Sequence, residues 1–108
     1  MNSRLDQLLN FHKENPKDSF LLFALAKEYE GLGQVGNALF HYQELVKSDP
    51  EYIGTYYHLG KLQQQQGTFE QAMATFETGI AMAQQIKDRH ALGELNAAKM
   101  DLEDLMEE

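Results

Sequence analysis

Displacing the sequence on itself by 34 residues brings Leu25 onto Leu59, Gly33 onto Gly67, Ala38 onto Ala72, Tyr42 onto Phe76 and Val46 onto Ile80. A fixed period of this length is the mark of stacked helical hairpins, because each copy must bury the same face against an equivalent neighbour. The register directs the reading toward a repeat scaffold and away from an enzyme built around one pocket.

Pro16, Gly31 and Gly33, Asp49-Pro50, Gly67 and Lys87-Asp88 punctuate the chain, and between them apolar residues recur at helical spacing. The pattern predicts helices over 3–14, 18–31, 34–48, 52–66, 69–86 and 89–106, with no strand. In the third helix Val35, Ala38, Leu39, Tyr42, Leu45 and Val46 form one apolar stripe. Phe69, Ala72, Met73, Phe76, Gly79 and Ile80 repeat its offsets in the fifth. Leu22, Leu25, Ala26 and Tyr29 likewise correspond to Tyr56, Leu59, Gly60 and Gln63. Small residues at Ala26 and Gly60, and at Ala38 and Ala72, are expected where paired helices cross closely, since a larger side chain would hold the axes apart.

Leu22, Leu25, Ala26, Tyr29, Ala38, Tyr42 and Pro50 in one copy, and Tyr56, Leu59, Gly60, Ala72 and Phe76 in the next, stand at the signature spacing of the tetratricopeptide repeat. The chain resembles that family, as a small bacterial-type member. It departs from the pattern in having no tryptophan, and in Gln63 standing where the aromatic is expected. Pro16 precedes Pro50 by one period, so the first helix takes the place of a second repeat helix, and Gln84 replaces the next proline. The resemblance implies an all-α, right-handed superhelix of antiparallel helix pairs, about six helices in one domain. Its expected parts are a half repeat over 1–16, repeats over 17–50 and 51–86, and a capping helix over 87–108 whose stripe is Leu92, Leu95, Ala98, Leu102 and Leu105.

Seventeen acids against nine bases give a net charge of -8, which repels phosphate backbones and anionic lipid, so neither nucleic acid nor a membrane is an expected partner. The chain has no cysteine, which rules out disulfides and thiolate metal sites and fits a reducing compartment; the expected location is cytoplasmic. The polar start at Met1-Asn2-Ser3-Arg4 lacks the apolar run of a signal peptide, and Met1 is the expected start of the mature chain. None of the four histidines stands in a zinc-protease or Glu-x-x-His arrangement, and the glycines build no phosphate loop. His90 with Glu94, and His41 with Glu44, read as surface hydrogen bonds or ion pairs, and His12 as a residue of a partly open terminal helix. No cofactor, metal or catalytic residue is expected, and the chain reads as a non-enzyme.

In this family the first helices of successive repeats line a concave groove that takes peptides or partner helices. On this chain the resemblance puts Phe20, Phe23 and Lys27, then Tyr57, His58, Lys61 and Gln64, on the inward positions. Phe23 and Lys27 recur as Tyr57 and Lys61 one period later, an aromatic and a cation suited to a peptide with apolar side chains and a carboxylate. Members that grip chaperone tails use lysine, asparagine and arginine across three repeats. Here lysine stands where the first asparagine would be and a cap replaces the third repeat, so that clamp is not expected. The expected function is a non-catalytic scaffold or adaptor with a protein or peptide partner. The alternative is an assembly module that self-associates through its terminal helices, with Met1, Leu5, Leu8 and Phe11 of the first as contact.

Overall fold

A computed structural model describes residues 3–108, and among them the chain forms six α-helices and no strand. They are α1 (Arg4–Glu14), α2 (Ser19–Gly31), α3 (Val35–Ser48), α4 (Gly54–Gln65), α5 (Phe69–Ile86) and α6 (Arg89–Met106). Every end lies within about two residues of its expected position, because the breaks that set the ends are themselves written in the sequence.

Three helices start on side-chain caps that satisfy an otherwise orphaned backbone N–H. Ser3 Oγ accepts from Asp6 N at 3.1 Å, Asp18 Oδ1 from Leu21 N at 3.2 Å, and Asp88 Oδ1 from Ala91 N at 3.0 Å.

Two kinds of turn join the helices. Before Pro16 and Pro50, Asn15 (φ -135°, ψ 65°) and Asp49 (φ -147°, ψ 76°) lie outside the helical region, which a following proline disfavours. Each accepts a bond three residues on, from Asp18 N at 3.1 Å and Tyr52 N at 3.0 Å. The other kind ends α2, α4 and α5 on a left-handed residue: Gly33 at φ 77°, Gly67 at φ 81° and Lys87 at φ 62°. The same two bonds close each of these three ends, Gly33 N to Glu30 O with Gln34 N to Tyr29 O, Gly67 N to Gln64 O with Thr68 N to Gln63 O, and Lys87 N to Gln84 O with Asp88 N to Ala83 O. With Gln84 in place of a proline, α5 runs on to Ile86 and turns by the second device.

The chain divides into two compact units, Met1–Tyr52 and Ile53–Glu108. In the first, α2 packs on both α1 and α3. Leu8, Ala24 and Leu25 form a buried cluster backed by Leu5, Leu9, Leu21 and Tyr29. Tyr42 is fully buried, and its hydroxyl donates to Glu30 Oε1 at 2.8 Å, while Arg4 pairs with Glu28 at 3.3 Å.

In the second unit α5 packs on α4 and α6, and α6 also touches α4. Two glycines set how closely these helices approach. A Cβ on Gly60 would enter the Phe76 ring, and one on Gly79 would come within 2.6 Å of Tyr56 Cβ and 3.1 Å of Leu95 Cδ1. Leu95 and Leu102 of α6 are buried, each burial contributing about 1.5–3 kcal/mol, and Lys99 reaches Glu77 of α5 at 3.4 Å. The stripe ends at Leu105, which is exposed. On α3 and α5 the two expected stripes carry the same sequence of buried and half-buried positions, residue for residue.

Candidate functional site

Asp18 caps α2 and fixes where its turns fall, which places Phe20, Phe23 and Lys27 at helical spacing along one side. Phe20 is 62 % exposed, an uncommon state for a phenylalanine that the core does not use. Phe23 is half-buried and has packing partners, with ring centroids 6.2 Å from Tyr42 at 61° and 5.5 Å from Tyr52 at 47°. The Tyr52 phenol is pushed above its ordinary value by burial, then by the Asp18 and Asp49 carboxylates, and Ser19 Oγ holds Asp49 Oδ2 at 2.7 Å. Lys27 stands one turn beyond Phe23, exposed, with no carboxylate in ion-pair range among the described residues.

On α4 Tyr57, Lys61 and Gln64 share one side, with His58 beside them; the Tyr57 and His58 rings meet edge to face at 5.5 Å and 87°. All four are half-buried. Of the nine lysines and arginines only Lys61 and Lys99 are half-buried rather than exposed. Lys99 has Glu77; Lys61 has no carboxylate partner among the described residues. One turn on, Gln64 Oε1 is buried without a hydrogen-bond partner. The Lys61 stem is partly covered while its ammonium lacks a counter-charge, and a buried acceptor without a donor is costly to leave unmet. Together they leave one donor and one inward-turned acceptor without a complement among the described residues.

Sequence reasoning missed two polar residues of α4. Thr55 is fully buried with its Oγ1 unpartnered, and nothing in its spacing marks it. Gln63 is buried and accepts from Thr75 Oγ1 at 2.6 Å; it read only as a gap in an aromatic position.

The histidines scatter. His90 lies 3.4 Å from Glu94 as an exposed helix pair, His41 Nδ1 donates to the Asn37 carbonyl at 2.8 Å rather than reaching Glu44, and half-buried His12 has Nδ1 buried without a partner. Among the described residues no group of three or more His, Asp and Glu is placed to hold a metal, and no helix is long and apolar enough to cross a membrane. Of the contact expected on α1, Met1 lies outside the described residues, and Leu5 is half-buried against the Leu8 cluster. Leu8 itself must be withdrawn from that contact, since it is buried in the core of its own unit. Phe11 is 54 % exposed.

The sequence profile of the tetratricopeptide repeat matches residues 29–95. A TPR repeat-containing protein of Pseudomonas aeruginosa is 33 % identical over 78 residues, covering 72 % of this chain and 74 % of that one. Among solved structures, a tetratricopeptide repeat domain protein from Salinibacter ruber is similar with a TM-score of 0.81 and 39 % identity over 85 % of this chain and 93 % of its own. The TPR2B domain of yeast Sti1, solved in complex with pHsp70, has a TM-score of 0.86 over 94 % of this chain and 81 % of its own; at 13 % identity it speaks for the fold alone.

Proposed function

From the premise that this chain belongs to the tetratricopeptide repeat family, we propose that it is a non-catalytic adaptor, a protein-interaction module that binds segments of a partner protein, with Tyr57, His58, Lys61 and Gln64 as a contact face on α4 and Phe20, Phe23 and Lys27 as another on α2. The observation that carries this reading is the half-buried, unneutralised Lys61 one turn from the unpartnered Gln64 acceptor. Lys61 Nζ would donate to a carboxylate or backbone carbonyl of the ligand, and a ligand N–H would donate to Gln64 Oε1 once that side chain turns outward. Tyr57 would cover an apolar ligand side chain there, and on the α2 face Phe20 would cover another while Lys27 would take an acidic one.

The test is capture of partners from the native source on wild type and on the Lys27→Glu/Lys61→Glu double variant. The variant should lose its specific partner while keeping the helical circular dichroism of the wild type, and equal capture by the two would reject the assignment. Self-association through α1 is a second reading, carried by the exposure of Phe11. Sedimentation of the same two proteins separates them, because association through α1 would be concentration-dependent and indifferent to both lysines.

A further inference from the structure

The two repeats serve as controls for each other. Most stripe positions keep their character across the period, whereas four exposed or half-buried positions on α2, its C-cap and α3 do not: Tyr29, Leu32, Phe40 and His41 become Gln63, Gln66, Ala74 and Thr75. In the first copy Tyr29 and His41 stack with centroids 5.1 Å apart, and Phe40 meets the His41 edge at 5.4 Å and 79°. At the same two places in the second copy, Thr75 and Gln63 are joined by a hydrogen bond. The helix pair therefore needs a contact there but not an aromatic one. Phe40 is 57 % exposed and Leu32, one turn beyond Tyr29, is 51 % exposed, so neither contributes much to the core. Phe40 and Leu32 are thus exposed apolar side chains that the fold does not explain, and Phe40 lies against the His41 ring, which in turn meets Tyr29 at the edge of the core.

What would cover it follows from the charge beside it. Glu44 stands one turn beyond Phe40 on α3, half-buried, with no cation partner among the described residues. Its counterpart Thr78 instead satisfies itself on the Ala74 carbonyl at 2.9 Å. The His41 ring is held by its Nδ1–H bond to Asn37, which keeps the row of rings in place. Ring faces and an unpaired carboxylate both attract a cation, and a guanidinium can lie over a ring while bonding the carboxylate at its edge. A second copy of this chain is a poor occupant, since each copy carries -8.

We propose that Tyr29, Leu32, Phe40, His41 and Glu44 form a second docking surface, separate from the lysine-bearing faces, for a partner segment that presents arginine or lysine beside an apolar side chain. It does not rest on the function proposed above, and the two can fail independently.

The experiment is selection of a phage-displayed random dodecapeptide library on the immobilised full chain, scored as enrichment over a Phe40→Ala bait. Phe40→Ala installs the residue that the second repeat already carries at this place, and its circular dichroism should match the wild type. The enriched peptides should share a basic residue next to an apolar one. A synthetic copy, followed by fluorescence anisotropy, should lose about tenfold in affinity on Phe40→Ala and on Glu44→Gln, and should bind Lys27→Glu/Lys61→Glu undiminished. No enrichment over the Phe40→Ala bait, an acidic consensus, or affinity unchanged by Phe40→Ala would overturn the proposal. So would sedimentation showing Phe40-dependent self-association without peptide, which would assign the surface to a second copy.

Discussion

Tyr42 and Phe76 hold the same place in two copies and differ by one oxygen, which only Tyr42 must satisfy in the interior. It does so on Glu30, and burial, that hydrogen bond and the carboxylate's charge, in that order, push the phenol above its ordinary value. The folded state therefore holds the phenolic proton more tightly than the unfolded chain does. The stability this contributes is fully present below the unfolded value, about pH 10, and is lost as pH rises toward the folded one. Tyr42→Phe should cost about 0.5–1.5 kcal/mol at neutral pH and should remove this tyrosine's share of the alkaline loss, as urea unfolding at pH 7 and above pH 10 would measure. Residues of this kind were legible where the partner is periodic and obscure where it is not. The apolar stripes of α3 and α5 were read directly from their offsets, but the partner of Gln63 lies on another helix, and no spacing announces a hydrogen bond to Thr75. Phe40 is silent in the sequence for a similar reason: a lone phenylalanine off the stripe carries no signal of its exposure or of its contact with His41.

Helix ends were the easiest elements to anticipate, because Pro16, Gly33, Pro50 and Gly67 fix their turns by backbone chemistry that the residue type declares. Lys87 is the exception. Its place in the sequence marks a break, but nothing about lysine indicates a left-handed backbone, and the structure shows that it does what Gly33 and Gly67 do in the same bonding pattern. A side chain at that φ is strained by roughly 1–2 kcal/mol, part of which glycine returns through its freer unfolded chain. Lys87→Gly should accordingly raise stability by about 0.5–1 kcal/mol, seen as a higher midpoint in chemical denaturation with an unchanged slope. The faces proposed for binding lie between these extremes. Helical spacing put Phe23 with Lys27 and Tyr57 with Lys61, but the half-burial of Lys61 and the orphaned oxygen of Gln64 depend on packing that spacing does not contain.

Across the whole molecule, the resemblance gave the architecture because a repeat declares each part twice. The final helix had no second copy to compare, and its attachment could be read only from its leucines. In the structure α6 covers α5 and part of α4, setting Leu95 beside Gly79 and tying Lys99 to Glu77. A chain cut after Ile86 would uncover that apolar side of the second unit, so the fragment should aggregate or lose helical signal per residue. A soluble fragment with full helicity by circular dichroism would show that α6 is dispensable. The order of the turns also says where length can be added. The joint at Asp49-Pro50 leaves its helix in much the same backbone state as the one at Asn15-Pro16 and closes with the same bond three residues on, so a further copy of residues 17–50 spliced in after Pro50 meets at each end a turn it already uses. A copy appended after Ile86 meets a left-handed turn instead. The middle of this chain is thus its growth point, and the number of binding faces becomes a quantity that a gene duplication at one codon can set.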